Sequence, residues 1–351
     1  MKIFLAGNLG YIGTTMSRVL RSAGHEVVGC DCGYYKDGFL RGDAETSIRE
    51  SISRQIFKDV RDISREDLAG CDAVVDYSGL ANDPASDLNP AWTDQINHLS
   101  PARLAKLAKE SGIRRFVFAS SCSIYGAQKG DNFVDESSPL APVSAYAKAK
   151  IGVEQEAGKL KDRNFSPTFM RNATVFGLSY RMRFDLVVNN LTGWAYTTGK
   201  VKLLSAGTSW RPSLHVEDCS KAVLAALEAP EDAVSGQAFN IGMDSENYKV
   251  IDIANMVKEI VPNCELEVGK DAPIDPRSYR VSFRKINSTL KGFRPSWTVR
   301  KGIKQLYDYF NEIKLDYKTF SDKRFYDVES IKRLISEGKV DGDLRMLEMK
   351  V

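Results

Sequence analysis

Three side chains in this sequence have the types and spacing for moving a proton and a hydride together. Tyr146 and Lys150 lie four residues apart in SAYAKAK (144–150), so on a helix both project to one face. Ser121 comes 25 residues before the tyrosine and ends the apolar run RFVFAS (115–120). An ammonium beside a phenol favours the phenolate, so Lys150 is expected to draw the Tyr146 pKa toward neutrality. A serine hydroxyl on the same substrate oxygen would complete a device that takes a proton from an alcohol while hydride leaves its carbon. Y-x-x-x-K alone is common on helix surfaces. A serine at a strand's C-terminal end is more telling, because open α/β sheets place their ligands there.

The elements that must position this trio alternate along the chain. Lys2 to Ala6, EVVGC (26–30), AVVDY (73–77), RFVFAS (115–120) and SPTFMR (166–171) read as buried strands. Helices are expected at 14–23, where Met16, Val19, Leu20 and Ala23 share a face, and around 95–110 and 144–160. Near-continuous Val, Ile and Phe in strands alternating with helices predict a doubly wound, Rossmann-type parallel sheet covered on both faces. This domain is expected mainly over 1–176, with a return at about 210–242. Helices near 185–197, 217–228 and 250–260, with strands KVKLL (201–205) and QAFNI (237–241), continue the chain. A smaller mixed α/β lobe for substrate is expected mainly from 177–209 and 243–320, with Pro262, Pro273, Pro276 and Pro295 marking turns. Residues 321–351 form a C-terminal extension with a helix-like IKRLI core; its place, on the outside or on a partner, and its role stay open.

The opening stretch MKIFLAGNLGYIG supplies a strand, a glycine turn and a helix start in that order. Gly7 permits the tight turn, Gly10 close approach to a phosphate oxygen, and Gly13 close helix–sheet packing. A diphosphate would then rest on unpaired N–H groups at the helix start. Asp31 follows Gly13 by 18 residues at the end of the second strand, where a carboxylate accepts from both ribose hydroxyls and repels a 2′-phosphate. NAD is therefore the expected cofactor. The plain alternative for Asp31 is a cap on the following turn. Asp59, with Val60, ends the stretch IFKDV and could hold an adenine amino group or be a solvated loop acid.

Composition narrows the rest. The net charge of +3 without a long basic block gives no footprint for nucleic acid. Six scattered cysteines and three dispersed histidines suggest reduced thiols in a cytoplasmic protein and no metal centre. No run of 18 apolar residues exists, and a glycine-rich loop follows the first strand at once, so neither a membrane span nor a signal peptide is expected.

Taken together, GNLGYIG (7–13), Asp31, DVRD (59–62), YSGLA (77–81), Asn97, RRFVFASSCSIYG (114–126), SAYAKAK (144–150), RNATVFG (171–177), RPSLHVED (211–218) and DPRSYRV (275–281) resemble the extended short-chain dehydrogenase/reductase group. The similarity is to its NAD-dependent epimerase/dehydratase proteins, which act on nucleotide-activated sugars, and it spans roughly residues 1 to 312. The resemblance implies Ser121 as substrate-orienting hydroxyl, Tyr146 as base and Lys150 as holder of the nicotinamide ribose. It implies cofactor contacts from Gly7, Leu9, Gly10, Tyr11, Ile12, Gly13, Asp31, Asp59, Val60, Ser78, Gly79, Leu80, Asn97 and Ser120. It implies substrate contacts from Ala81, Ser121, Ser123, Tyr146 and Thr174, with Asn189, Arg211 and Arg277 on the diphosphate. It also implies a homodimer through the helices near 95–110 and 144–160, with Leu99, Ala102, Leu107, Ile151 and Val153 as apolar positions.

The expected reaction is epimerisation of a nucleotide sugar through a transient ketone, at C4 by the family's habit. A dehydrogenase or reductase of the same substrates uses the same trio and is the first alternative. Sugar 4,6-dehydratases carry an Asp-Glu pair where this chain has Cys122 and Ser123, which argues against water loss. A non-catalytic NAD-binding regulator ranks last, because the trio is complete. Thr174 stands where galactose-type epimerases carry asparagine, and Ala81 where some carry lysine, which points away from the ordinary UDP-glucose/UDP-galactose pair. Arg181, Arg183 and Asp185 are expected to tie down their loop, with carboxylate or phosphate recognition as the alternative.

Overall fold

The structure, a computed structural model, describes residues 1–40, 42–81, 83–128, 132–269 and 277–348. The turns expected at Pro273 and Pro276, and the first two residues of DPRSYRV, lie outside the described residues.

Seven strands form the central sheet: β1 (Lys2–Ala6), β2 (Glu26–Asp31), β3 (Arg54–Phe57), β4 (Ala73–Asp76), β5 (Arg115–Ser121), β6 (Ser166–Asn172) and β7 (Gln237–Ile241). Their order is β7-β6-β5-β4-β1-β2-β3 and every pairing is parallel. The chain reverses direction across the sheet between β1 and β4, so their C-terminal ends open a crevice for a ligand. The inner strands carry apolar residues on both faces because both faces are covered. Ile3, Leu5, Val75, Val117 and Met170 pack on one side with the Tyr11–Ser22 and Val216–Glu228 helices, through Met16, Leu20, Cys219 and Val223. Phe4, Val28, Val74, Phe116 and Phe118 pack on the other with the Ser100–Glu110 and Ala145–Lys159 helices, through Leu104, Ala108, Val153 and Ala157.

A second core belongs to the smaller lobe, where Phe184, Phe310, Phe320 and Phe325 meet between the Val187–Thr198 and Val299–Glu312 helices and the segment after them. Short strand pairs complete it: Lys200–Leu203 with Glu265–Val268, and Trp210–His215 between Thr174–Phe176 and Asn247–Lys249.

The helix expected around 95–110 starts earlier and is not uniform: Pro90–Thr93 and Ser100–Glu110 are α-helical, and Asp94–Leu99 between them is a wider π turn. Such a bulge turns a side chain inward, here Asn97. Of the apolar positions expected on a subunit face, Ala102 and Val153 are instead buried in the chain's own core, while Leu99 is exposed. The C-terminal extension is not an external appendage. Its helix Asp327–Ser336 and following loop bury Ile331, Leu334, Val340 and Leu344 in the core under the sheet. Among the described residues no helix is long and apolar enough to cross a membrane, no cluster of His, Cys, Asp and Glu could hold a metal ion, and all six cysteines are free.

Candidate active site and dinucleotide groove

The C-terminal ends of β1, β4, β5 and β6 open into a cavity of about 540 Å³ that takes in Ser121, Ser123, Tyr146, Lys150, Thr174, Arg211 and Arg277. It adjoins a groove of about 110 Å³ lined by Gly7, Gly10, Gly13, Asp31, Asp59 and Val60. Tyr11, Ile12, Ser78, Gly79 and Ala81 border both spaces, and Leu80 and Ser120 border the larger.

The trio is assembled from two elements. Ser121 closes β5 in extended backbone, and its hydroxyl accepts from the Ser123 N–H at 3.1 Å, capping the short 3-10 turn that follows. Tyr146 and Lys150 share the inner face of the Ala145–Lys159 helix, which Ser144 caps by accepting from the Ala147 N–H at 3.2 Å. The Ser121 hydroxyl and the Tyr146 phenol line the same cavity. Lys150 is 3 % exposed, with its ammonium 4.5 Å from the Phe118 ring centre and 5.4 Å from that of Tyr146.

The electrostatics differ from the sequence expectation. Burial pushes the Tyr146 phenol up to about 12, aided by the Asp83 carboxylate, and the nearby Ser121 hydroxyl and Arg183 only partly oppose it. Burial also pushes the Lys150 ammonium down to about 8 against the pull of Asp76. Both groups lose more from leaving water than they gain from each other, because the ammonium lies over ring faces and not on the phenol oxygen. The protein alone does not hold a phenolate at neutral pH.

The glycine loop fits a diphosphate. Gly7 has φ +82°, and a side-chain carbon there would sit 2.5 Å from the Tyr77 carbonyl oxygen. One on Gly13 would lie 1.9 Å from the Gly7 carbonyl, so the helix start is packed onto the loop as the sequence predicts. Lys150 makes no hydrogen bond among the described residues and borders the cavity. Asp31 lies in the groove and also caps the next turn, accepting from Gly33 N–H at 2.7 Å and Leu9 N–H at 3.2 Å. The cap is thus realised, by a carboxylate that also borders the groove. Asp59 lines the groove with both oxygens already accepting from Arg61, at 2.9 and 2.6 Å.

Three expected contacts are placed otherwise, and a fourth, Ser120, borders the cavity without its hydroxyl. Asn97 is fully buried behind the loop, accepting from Leu80 N–H at 2.7 Å and donating to the Leu80 carbonyl at 2.9 Å, so it braces the Ser78–Leu80 turn. Leu9 spends its N–H on Asp31, and its side chain packs with Ala44 and Ile48. The Ser120 hydroxyl turns away to Glu154, whose carboxylate pairs with Arg171 inside the protein. Asn189 is 0 % exposed: it accepts from Gly177 N–H at 2.9 Å and donates to the Arg183 carbonyl at 3.0 Å and the Tyr11 hydroxyl at 3.2 Å. It borders neither space, so the diphosphate role expected of it gives way to a structural one.

Arg211 and Arg277 do reach the cavity, with Arg211 donating to the Arg277 carbonyl and Arg277 paired with Asp83. Asp83 also accepts from the Ser144 hydroxyl, linking this arginine to the cap of the Tyr146 helix. Asp83 carries no periodic or motif signal, and sequence reasoning missed it. The Arg181–Asp185 segment is tied down as expected, but largely by Asp327 of the C-terminal extension, which bonds Arg181 at 2.5 Å and Arg183 at 3.1 Å. Cys122 faces the core and donates to the Arg171 carbonyl at 3.1 Å, which leaves Ser123, with an unpaired buried hydroxyl, facing the cavity.

Comparison with known proteins places the fold and the family. Protein CapI of Staphylococcus aureus is 24% identical over 335 residues, covering 89% of this chain and 99% of that protein. Among solved structures, that of TunA, an NAD dependent NDP-hexosamine 5,6-dehydratase, superposes with a TM-score of 0.77 at 22% identity over 89% of this chain and 98% of its own. UDP-glucuronic acid 4-epimerase from Bacillus cereus gives 0.75 at 23% identity, over 89% of this chain and 100% of its own. At these identities the two structures establish a shared fold. With a glycine loop, an acid ending β2 and a Ser–Tyr–Lys trio around one crevice, and with residues 3–242 matched to the NAD dependent epimerase/dehydratase family, the chain belongs to that family.

Proposed function

We propose that this protein is an NAD-dependent epimerase of a nucleotide-diphosphate sugar that inverts C4 through a transient ketone. The observation that carries the reading is the meeting of Ser121, Tyr146 and Lys150 at the crevice beside the glycine loop. Gly7, Gly10 and the start of the Tyr11–Ser22 helix would hold the NAD diphosphate, Asp31 the adenosine ribose and Lys150 the nicotinamide ribose. Bound NAD would supply a reversible hydride acceptor. Ser121 orients the sugar hydroxyl, and Tyr146 takes its proton and later returns it to the oxygen of the inverted carbon. Arg211 and Arg277 face the substrate diphosphate, and Thr174 and Ser123 offer hydroxyls to the sugar.

Dehydration at C5–C6 fits this cavity less well, since Cys122 faces the core and Ser123 is a poor acid for expelling water. Named relatives include 4-epimerases, decarboxylases and a dehydratase, so the family alone does not choose among them. The free thiols suit a reducing compartment, and we place the protein in the cytoplasm. A homodimer through the 94–110 and 145–159 helices, with Leu99 on the exposed face, belongs to the same proposal.

The test is a panel of nucleotide sugars incubated without added NAD and read by proton NMR in deuterium oxide. A C4 epimer formed with no solvent deuterium at that carbon supports the reading. Stoichiometric consumption or production of free reduced cofactor replaces it with a net dehydrogenase or reductase. No turnover of any nucleotide sugar overturns it.

A further inference from the structure

The C-terminal segment touches both spaces of the site. Asp327 borders the dinucleotide groove, while Tyr326, Val328 and Glu329 border the larger cavity. All four belong to one short stretch at the start of the Asp327–Ser336 helix. The Asp327 carboxylate, 1 % exposed, bonds Arg181 at 2.5 Å and lies 3.1 Å from Arg183. Arg181 borders the groove and Arg183 both spaces. The Arg181 guanidinium carbon also lies 4.4 Å from the Tyr35 ring centre, and its Nε has no hydrogen-bond partner among the described residues.

Farther along, the segment is held to the nucleotide-binding sheet by surface tethers. The Trp92 indole donates to the Gly342 carbonyl at 3.0 Å, Arg345 pairs with Asp62 at 2.5 Å, and Arg333 pairs with Asp37 at 2.9 Å. Arg61, the partner of Asp59 in the groove, donates to the carbonyls of Asp343 and Leu344. The segment thus runs across the β2–β3 side of the groove, anchored at both ends.

We propose that residues 326–329 are binding-site residues supplied by a strap: Asp327 positions Arg181 and Arg183 against the dinucleotide, Tyr326, Val328 and Glu329 wall the sugar cavity, and the strap, pinned by its surface tethers, retains bound NAD. This rests on the NAD-binding reading above. An epimerase that reuses one cofactor gains from such closure, because hydride must return to the sugar before the dinucleotide escapes. Asp327 acts through the two arginines and touches no reacting atom, so its role is positioning.

The experiment follows release of bound NAD from the purified holoenzyme, with an added NAD-consuming enzyme to trap what dissociates, and pairs it with the melting temperature of each protein. Two variants are compared with wild type: Asp327→Asn at the site, and the double variant Trp92→Phe, Arg345→Ala at the exposed tethers. Loss of one charge-assisted hydrogen bond scales to roughly tenfold or more in a dissociation rate. The expected result is NAD release about tenfold faster in both variants, with the tether variant melting near wild type. Release within twofold of wild type in the tether variant overturns the strap, including where Asp327→Asn fails to fold. A wild-type protein that binds no NAD at all overturns the functional reading itself, a separate outcome.

Discussion

Replacing Tyr146 with phenylalanine removes one oxygen and tests the catalytic assignment directly. The phenol is partly buried, lines the cavity with Ser121, and is pushed up to about 12 by desolvation. A phenol raised this far is protonated at pH 8 in the NAD-free protein. Loss of a positioned general base lowers a rate by about 10²–10⁴, which corresponds to about 2.7–5.5 kcal/mol of barrier. The structural cost is far smaller. Phenylalanine fills the same space, and losing one partly exposed hydroxyl costs no more than about 1 kcal/mol. The variant is therefore expected to lose at least a hundredfold in kcat/KM, keep its bound NAD and melt within a few degrees of wild type. Turnover comes from product NMR, NAD content from the nucleotide freed on denaturation, and stability from calorimetry. A corollary concerns the NAD-free protein: a difference titration of phenolate absorbance between wild type and variant should show no ionisation of Tyr146 below pH 10. Activity within tenfold of wild type, with NAD bound, would refute the assignment of Tyr146 as base.

Three further outcomes are expected. Asn189→Ala strands the Gly177 N–H and the inward-facing Arg183 carbonyl, so it should lower unfolding free energy by roughly 2–5 kcal/mol in a urea titration; wild-type stability with a raised KM would return the residue to the diphosphate. Gly13→Ala drives a methyl group into the Gly7 carbonyl and should abolish NAD retention on gel filtration, whereas full retention would show that the loop relaxes freely. His215 is buried against Trp297 and Gln305 at 2.9 Å, with its pKa lowered by burial to about 4. Its folded value lies below the unfolded value of about 6.5, so the stability it contributes is present above pH 6.5 and is lost as pH falls toward 4. Between pH 7 and pH 5 this amounts to about 2 kcal/mol, and a denaturation midpoint that stays constant in wild type over that range would contradict it.

What the sequence determined by itself was local or periodic. The glycine turn of residues 7–13, the acid ending β2 and the Tyr146–Lys150 spacing are each written within a few dozen residues, and the structure places all of them around one crevice. Strand positions were legible because buried parallel strands are continuous in apolar residues, and only their ends moved by a residue or two. The π turn at Asp94–Leu99 was not legible, since it changes hydrogen bonding without changing composition. Only tertiary structure decided which polar residues face the ligand. Asn189 was turned inward because Gly177, Arg183 and Tyr11 needed its amide. Tertiary structure also brought Asp327 to Arg181 across 146 residues of chain and Asp83 to Arg277 across 194, leaving no trace in spacing. The same holds for the shifts of Tyr146 and Lys150. Ionisation follows how much water is removed around a group, and burial by distant elements sets that quantity.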